Sequence, residues 1–566
     1  MTKKRKGGTT GGDCGKTTVR LTAPIEGDEY HPTHKVVVRG ATAPDGTPWV
    51  EIAASGGTPV VWVKFDDLSD DASSAKKRMR EGRLHLFKNE LSQALDKARK
   101  VDVFPAAPLI ERSGWSGAYF ALLSGEVFSP DGVDEPIILF EPQPDKCAAA
   151  GDETWRKGMK RLCSGQPIVT FAVMMPFCAP ILRLSRITNN FGVELSGPKA
   201  RGKSTLQRAA ASTAGPVLDP SGKNYWITAN TTMNALEAEM PLHNDMFMSI
   251  EEMSSMNAGE SDRVRANRAR ELVFRMYEGT GKDRFQAARQ PPARFAYLTS
   301  TNDPTATLLG ANAGDAADAV TDRLLALPIS SERIHGIFEE DLPKGYRSGE
   351  AAARAIDALV AEHYGHPIRV FLRALVNARA EDEDALKHDI EALIMKFRQA
   401  VGVPEGSQGT EARVADAVGL IYAAGRLAQR YGALPWSLKC LTAAVCCHRL
   451  NRQSVGAHVT NLERLRQLAR REDVIEVNLT DKTKAYRKAV EKAPAMILAK
   501  KHSKRELLVT LEVLRDLFPH LKALVTDPEI KPLMRCETGR HSRQVTVVCG
   551  KKKRRFFCLR LPDYDD

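Results

Sequence analysis

One short turn constrains this chain more than any other feature. Residues 197–205, Gly-Pro-Lys-Ala-Arg-Gly-Lys-Ser-Thr, follow the apolar run Phe-Gly-Val-Glu-Leu-Ser and lead into Leu-Gln-Arg-Ala-Ala-Ala. Gly197, Gly202, Lys203 and Ser204 satisfy G-x-x-x-x-G-K-[ST], a spacing that wraps backbone N–H groups around a phosphate. A buried strand before the turn and a helix after it add the helix N-terminus to that cradle. Gly197, Pro198, Lys199, Ala200, Arg201, Gly202, Lys203, Ser204 and Thr205 are therefore expected to hold a nucleotide. Lys203 would meet the β- and γ-phosphates, and Ser204 would hold Mg2+. A look-alike at 11–18, Gly-Gly-Asp-Cys-Gly-Lys-Thr-Thr, fails on spacing, because the position of its first glycine is Thr10.

A phosphate loop needs a carboxylate strand and a sensing strand. Some forty residues on, Asp-Met-Phe-Met-Ser-Ile-Glu-Glu-Met-Ser offers an apolar strand ending at Glu251 and Glu252. Glu251 would stand near Mg2+, and Glu252 would polarise the attacking water. A third strand, Arg-Phe-Ala-Tyr-Leu-Thr-Ser-Thr-Asn-Asp, ends in Ser300, Thr301 and Asn302. Asn302 is the first choice to sense the γ-phosphate, and Thr301 the second. Loop, acidic strand and polar strand in this order describe an AAA+-like ATPase, a fold that often works as a ring with an arginine supplied by a neighbour. Arg323, just before the apolar run Leu-Leu-Ala-Leu-Pro-Ile, is the candidate for that arginine. Arg413 is a weaker candidate, reaching the nucleotide from a helical lid.

Several of these stretches match a known family. The chain resembles the "domain of unknown function 927" proteins, AAA+-like helicase-type ATPases of phages, plasmids and other mobile elements. The resemblance rests on RSGWSGAYFAL, TWRKGMKRLCSGQPIV, the phosphate loop itself, YWITANTTMNALEAEMPLHNDMFMSIEEM, MYEGTGKDR and RVADAVGLIYAAGRLAQRYGALPW, in order from about residue 100 to 450. Some relatives are ring-shaped DNA helicases similar to minichromosome-maintenance motors, which is what the resemblance implies here. The family's usual Asp-Glu pair is Glu251-Glu252 in this chain.

Lys plus Arg exceed Asp plus Glu by 82 to 70, a net charge of +12 that modestly favours a polyanionic partner. Two segments are candidate grips on nucleic acid. Between the acidic and sensing strands, a helix over 262–278 stops at Gly279. A hairpin then follows, carrying Lys282, Arg284 and Arg289, and in helicase rings such an insertion points into the central pore. Near the C-terminus, Glu-Leu-Leu-Val-Thr-Leu-Glu-Val-Leu-Arg-Asp-Leu-Phe reads as an amphipathic helix. Residues 543–561 read as a hairpin whose tip holds Lys551, Lys552, Lys553, Arg554 and Arg555. Such cations would bind phosphates without reading sequence.

The ten cysteines contain no C-x-x-C pair, and Val-Cys-Cys-His at 445–448 sits in an apolar helical pattern that reads as core. The most apolar run, 167–184, is interrupted by prolines and Arg183, so it reads as a buried helix pair. The expected fold class is α/β: a P-loop NTPase (AAA+-like) core with a helical lid, a β-rich N-terminal domain and a winged-helix-like C-terminal module. The expected divisions are a disordered basic tail over 1–28, the β-rich domain over 29–140 and a linker over 141–153. The ATPase core with its preceding helical linker follows over 153–335, then the lid over 336–456 and the C-terminal module over 457–566. The expected activity is an ATP- and Mg2+-dependent DNA helicase or translocase. Its expected form is a homo-oligomeric ring, a hexamer being one option, acting on single-stranded or forked DNA in the cytoplasm and away from membranes. An ATP-dependent loader or assembly switch is the alternative.

Overall fold

The computed structural model describes residues 36–54, 59–69, 71–84, 86, 88–133, 135–151, 154–227, 233–251, 262–280, 292–302, 304–305, 320–456, 461–469, 473–481, 483–500, 504–518, 521–527, 530–535, 537, 540–548 and 553–561. The fold is mixed α/β. Strands β1 (Val36–Thr42), β2 (Pro48–Ala54) and β3 (Val60–Lys64) form an antiparallel sheet. Alternation turns Val50, Ile52, Val61 and Val63 to one face. Helices α1 (Ser73–Glu81) and α2 (Lys88–Ala98) cover it with Ala75, Met79, Ala94 and Leu95, which leaves most of their charges toward water. Short strands β4 (Leu109–Ile110), β5 (Gly114–Ser116), β6 (Tyr119–Ala121), β7 (Val127–Phe128) and β8 (Ile137–Ile138) complete this region.

The expected linker is packed rather than loose. Cys147 is fully buried, Arg369 donates to its carbonyl at 2.7 Å, and Ala150 bridges to Tyr364. Helix α3 (Thr154–Leu162) leads to α4 (Pro167–Met174) and α5 (Cys178–Leu182), with every residue from Ile168 to Leu182 buried. Among the described residues, no helix is long and apolar enough to cross a membrane.

Four parallel strands carry the centre of the chain: β9 (Phe191–Ser196), β10 (Met246–Ile250), β11 (Phe295–Thr301) and β12 (Leu324–Pro328). Their spatial order is β10-β11-β9-β12. Sheets of this kind are covered on both faces, which explains their nearly continuous apolar sequences. Val193, Leu195, Leu298, Leu325 and Leu327 face a core shared with α4, with α6 (Lys203–Ala211) and with the helices Thr410–Arg430 and Cys440–Gly456. Met248, Ile250, Phe295 and Tyr297 face the other way, onto Leu272, Val273 and Met276 of the helix Asp262–Glu278.

Past β12 come the helices Gly349–Glu362, His366–Glu381 and Glu383–Ala400. Ser348 and Asp382 cap two of them by accepting from the N–H groups of Ala351 and Ala385. Cys447 is buried in the helix Cys440–Gly456, and no group of three or more metal-ligating side chains occurs among the described residues.

The C-terminal region differs from the sequence expectation. Its hairpin strands Arg543–Val545 and Arg554–Leu561 belong to a five-stranded sheet, together with Ile475–Glu476, Ala495–Lys500 and Lys504–Val509. The stretch read as one amphipathic helix is a strand, Lys504–Val509, followed by a short helix, Leu511–Leu517. Thr510 makes the break, since its side chain caps the helix by accepting from the Val513 N–H at 3.4 Å.

Candidate active site

The phosphate-loop sequence folds as a tight turn because β9 must end against a neighbour. At Gly197 (φ +139°) a Cβ would lie 2.2 Å from the Ile329 carbonyl, so only glycine fits. Gly202 (φ +90°) turns the chain into α6 from the left-handed region, and no side chain caps that helix. The orphan N–H groups at its start therefore open toward the cleft, where the helix dipole favours an anion.

The cleft has a volume of about 390 Å³ and is lined by Lys199 to Thr205, by Glu251, and by Ser300, Thr301 and Asn302. Three separate sequence stretches thus meet at the C-terminal ends of β9, β10 and β11. The polar strand lies between the other two, which brings its end beside the loop. The Gly197 N–H donates to the Asn302 carbonyl at 3.1 Å, tying the residue that follows β11 to the Gly197–Thr205 turn. Ser204 Oγ stands 3.4 Å from Glu251 Oε1 at one end of the cleft. A hydroxyl beside a carboxylate is a hard-oxygen pair suited to Mg2+. The Lys203 ammonium donates to the carbonyls of Gly197 at 2.5 Å and Pro198 at 2.8 Å, just beyond the cleft wall. Arg201 turns away, donating to the carbonyls of Ser331 and Arg333 at 3.0 and 3.1 Å.

Arg323 and Arg413 lie elsewhere. Arg323 immediately precedes Leu324, which pairs with Gly192 at the start of β9, so it stands at the opposite end of the sheet from the cleft. Its guanidinium packs against Phe274 and Tyr277, 4.3 and 4.7 Å from their ring centroids. Arg413 pairs with the adjacent Asp322 at 3.1 Å and does not line the cleft. Glu252, Lys282, Arg284, Arg289, Lys551 and Lys552 lie outside the described residues. Lys553 and Arg554 are exposed at the start of the last strand.

Four supports of the site carry no motif. Gln207, fully buried on α6, donates to the carbonyls of Ile250 at 2.7 Å and Leu298 at 3.4 Å, fixing the phosphate helix to the two neighbouring strands. Arg208 forms a two-pronged pair with Asp357 (2.9 and 2.8 Å), which ties the same helix to Gly349–Glu362. Asn190, just before β9, donates to the carbonyls of Met276 and Ala293, each at 2.9 Å, and accepts from the Phe295 N–H at 3.0 Å. With the bond from the Ala293 N–H to the Gly279 carbonyl at 2.9 Å, it joins the end of the helix Asp262–Glu278 to the residues that enter β11. Asp245, buried before β10 in a left-handed conformation (φ +54°), takes both prongs of Arg183 (3.1 and 3.0 Å) and the Trp115 N–H at 3.1 Å.

Residues 62–291 match the family described as "Domain of unknown function (DUF927)". No curated protein matches the sequence. Among solved structures, the fold is similar to "SCCmec type IV Cch - active helicase", with a TM-score of 0.51 and 16% identity over 93% of each chain. The A form apo structure of the NrS-1 C terminal region overlaps 72% of this chain and 90% of its own at 11% identity. Its TM-score of 0.22 is too low to bear on the fold.

Proposed function

We propose that this DUF927-domain chain is an ATP-dependent DNA helicase or translocase that works as a ring of identical subunits. The observation that carries the reading is the cleft at the strand ends, where the Gly197–Thr205 loop, Glu251 and Ser300-Thr301-Asn302 converge. In this reading the region is a P-loop, AAA+-like core and the helices after β12 are its lid. The N–H groups of the loop and of α6 cradle the phosphates, and Lys203 leaves the carbonyls of Gly197 and Pro198 for the β- and γ-phosphates. Ser204 and Glu251 hold Mg2+, whose charge offsets that building on the phosphate oxygens. Glu252 orients the attacking water, and Asn302 contacts the γ-phosphate.

The position of Arg323 supports a ring. Five strand residues, about 16 Å at 3.3 Å each, separate it from its own cleft, farther than an arginine side chain reaches. Its guanidinium would serve the cleft of a second copy. Lys282, Arg284 and Arg289, together with Lys551, Lys552, Lys553 and Arg554, would contact the DNA backbone, giving affinity that falls steeply with salt. The fold shared with a protein titled an active helicase adds support. Strand displacement on a forked duplex, with and without ATP, tests the proposal. Displacement that requires ATP and Mg2+ is expected. DNA-stimulated hydrolysis without displacement would refute the helicase and leave a loader or assembly switch.

A further inference from the structure

Helix α3 presents a face that works against its own stability. Trp155, Met159 and Leu162 point into the core, while Lys157, Lys160 and Arg161 are exposed and Arg156 is half-buried. Arg156 and Lys160, like Lys157 and Arg161, are like charges one helical turn apart, an arrangement that destabilises a helix. Arg156 and Lys157 also sit in the first turn, where the helix dipole disfavours cations. Lys157, Lys160 and Arg161 are in no ion pair among the described residues. Arg161 donates to the Tyr346 hydroxyl at 2.7 Å, between the exposed Lys344 and Arg347, which extends the cationic face.

The N-terminal end of this helix is tied to a turn that carries an exposed tryptophan. Arg156 donates to the Gly432 carbonyl at 3.0 Å, fixing α3 to the turn that ends in Trp436. Trp436 is 64% exposed, yet its turn is held firmly. The buried amide of Gln429 donates to the carbonyls of Pro435 and Leu438 at 2.9 and 2.7 Å. Arg426 stands over the indole, 5.3 Å from its centroid, and is itself fixed by Gln429 Oε1 at 2.6 Å. With one face backed by a guanidinium, the indole is a rigid platform with its other face open. Lys439 is exposed three residues on.

Building on the nucleic-acid reading above, we infer that the cationic face of α3 and the Trp436 platform form a binding site for single-stranded nucleic acid. The phosphates lie along Lys157, Lys160 and Arg161, and one base stacks on the indole. A row of cations beside a flat aromatic is the pairing that sequence-tolerant strand binding uses, one for the backbone and the other for any base. The site gives a strand a track over the outside of the helical region.

The test is binding of fluorescein-labelled oligo-dT to the full chain across a salt series. Basal ATP hydrolysis and oligomeric state are followed alongside. W436A should weaken binding about tenfold, within the range for losing one stacking platform, and W436F should recover most of it. Reversing Lys157, Lys160 and Arg161 to glutamate should flatten the slope of log affinity against log salt by about 2, at roughly 0.7 per contact. Basal hydrolysis should be unchanged in all of them. A chain that binds oligo-dT through Trp436 but hydrolyses no ATP would keep this site while sinking the ATPase. Wild-type binding by the variants would overturn the site. So would a changed oligomeric state at unchanged affinity, which marks an interface between copies, or equal competition by polyglutamate, which marks an acidic protein partner.

Discussion

Glu194 sits in the middle of β9, wholly buried, and accepts from the Thr305 N–H at 2.9 Å and from the Thr305 hydroxyl. Thr305 follows Asn302 by three residues, so this carboxylate anchors the chain leaving the sensing strand. Burial pushes its pKa from 4.5 up to about 7, with the Thr305 bonds resisting the rise. Tyr297, itself raised by burial and by Glu194, is its titratable neighbour. Because the folded pKa is the higher one, the folded chain binds the proton more tightly than the unfolded chain. Stability is then greatest below pH 4.5 as far as this group is concerned, and falls as pH rises through about 7. The gap corresponds to about 3 kcal/mol at roughly 1.36 kcal/mol per pH step. Urea unfolding of the wild type and E194Q between pH 5 and 8 measures it. Taking the difference between the two proteins cancels the other titrating groups. The wild type should lose up to about 3 kcal/mol more than E194Q over that span. Parallel pH profiles would refute the assignment of a buried carboxylate whose burial outweighs its hydrogen bonds.

Three more outcomes are expected. K203A should abolish ATP hydrolysis while leaving the melting temperature near that of the wild type; unchanged turnover would remove the site assignment. R323A should be inactive alone, and mixing it with K203A subunits should restore partial hydrolysis, because an interface that joins the cleft of an R323A subunit to the arginine of a K203A subunit is intact. D245A should destabilise the chain by about 2–3 kcal/mol in thermal melts, at the low end for breaking a buried ion pair because Arg183 keeps contact with water. An unshifted melt would mean that Asp245 does not hold the junction of β5 and β10.

What could be read in advance was whatever lies close together along the chain. The turn from Gly197 to Thr205 is contiguous, and its place between β9 and α6 is written in nine neighbouring residues. Glu251 and Asn302 were legible because each is a polar residue closing an apolar strand, in an order that a phosphate loop demands. The supports were not. Gln207, Asn190 and the Arg208–Asp357 pair are ordinary residue types whose partners lie some 40 to 150 positions away. Asp245 takes a left-handed conformation held by contacts far off in the sequence, with Arg183 and the Trp115 N–H. At the C-terminus, the period of Leu507 to Phe518 suits a helix, and the Thr510 cap that splits it is a single local hydrogen bond. Packing decided that stretch, since Leu507 and Val509 are both buried in the sheet core.

The Asn190 clamp has a consequence for how such a protein can change. One side-chain amide joins the start of β9 to the end of the helix Asp262–Glu278 and to the residues that enter β11. A buried amide that serves three elements has no equivalent among apolar side chains, because its loss leaves several backbone groups without a partner at once. Position 190 therefore tolerates less change than its place just outside a strand suggests.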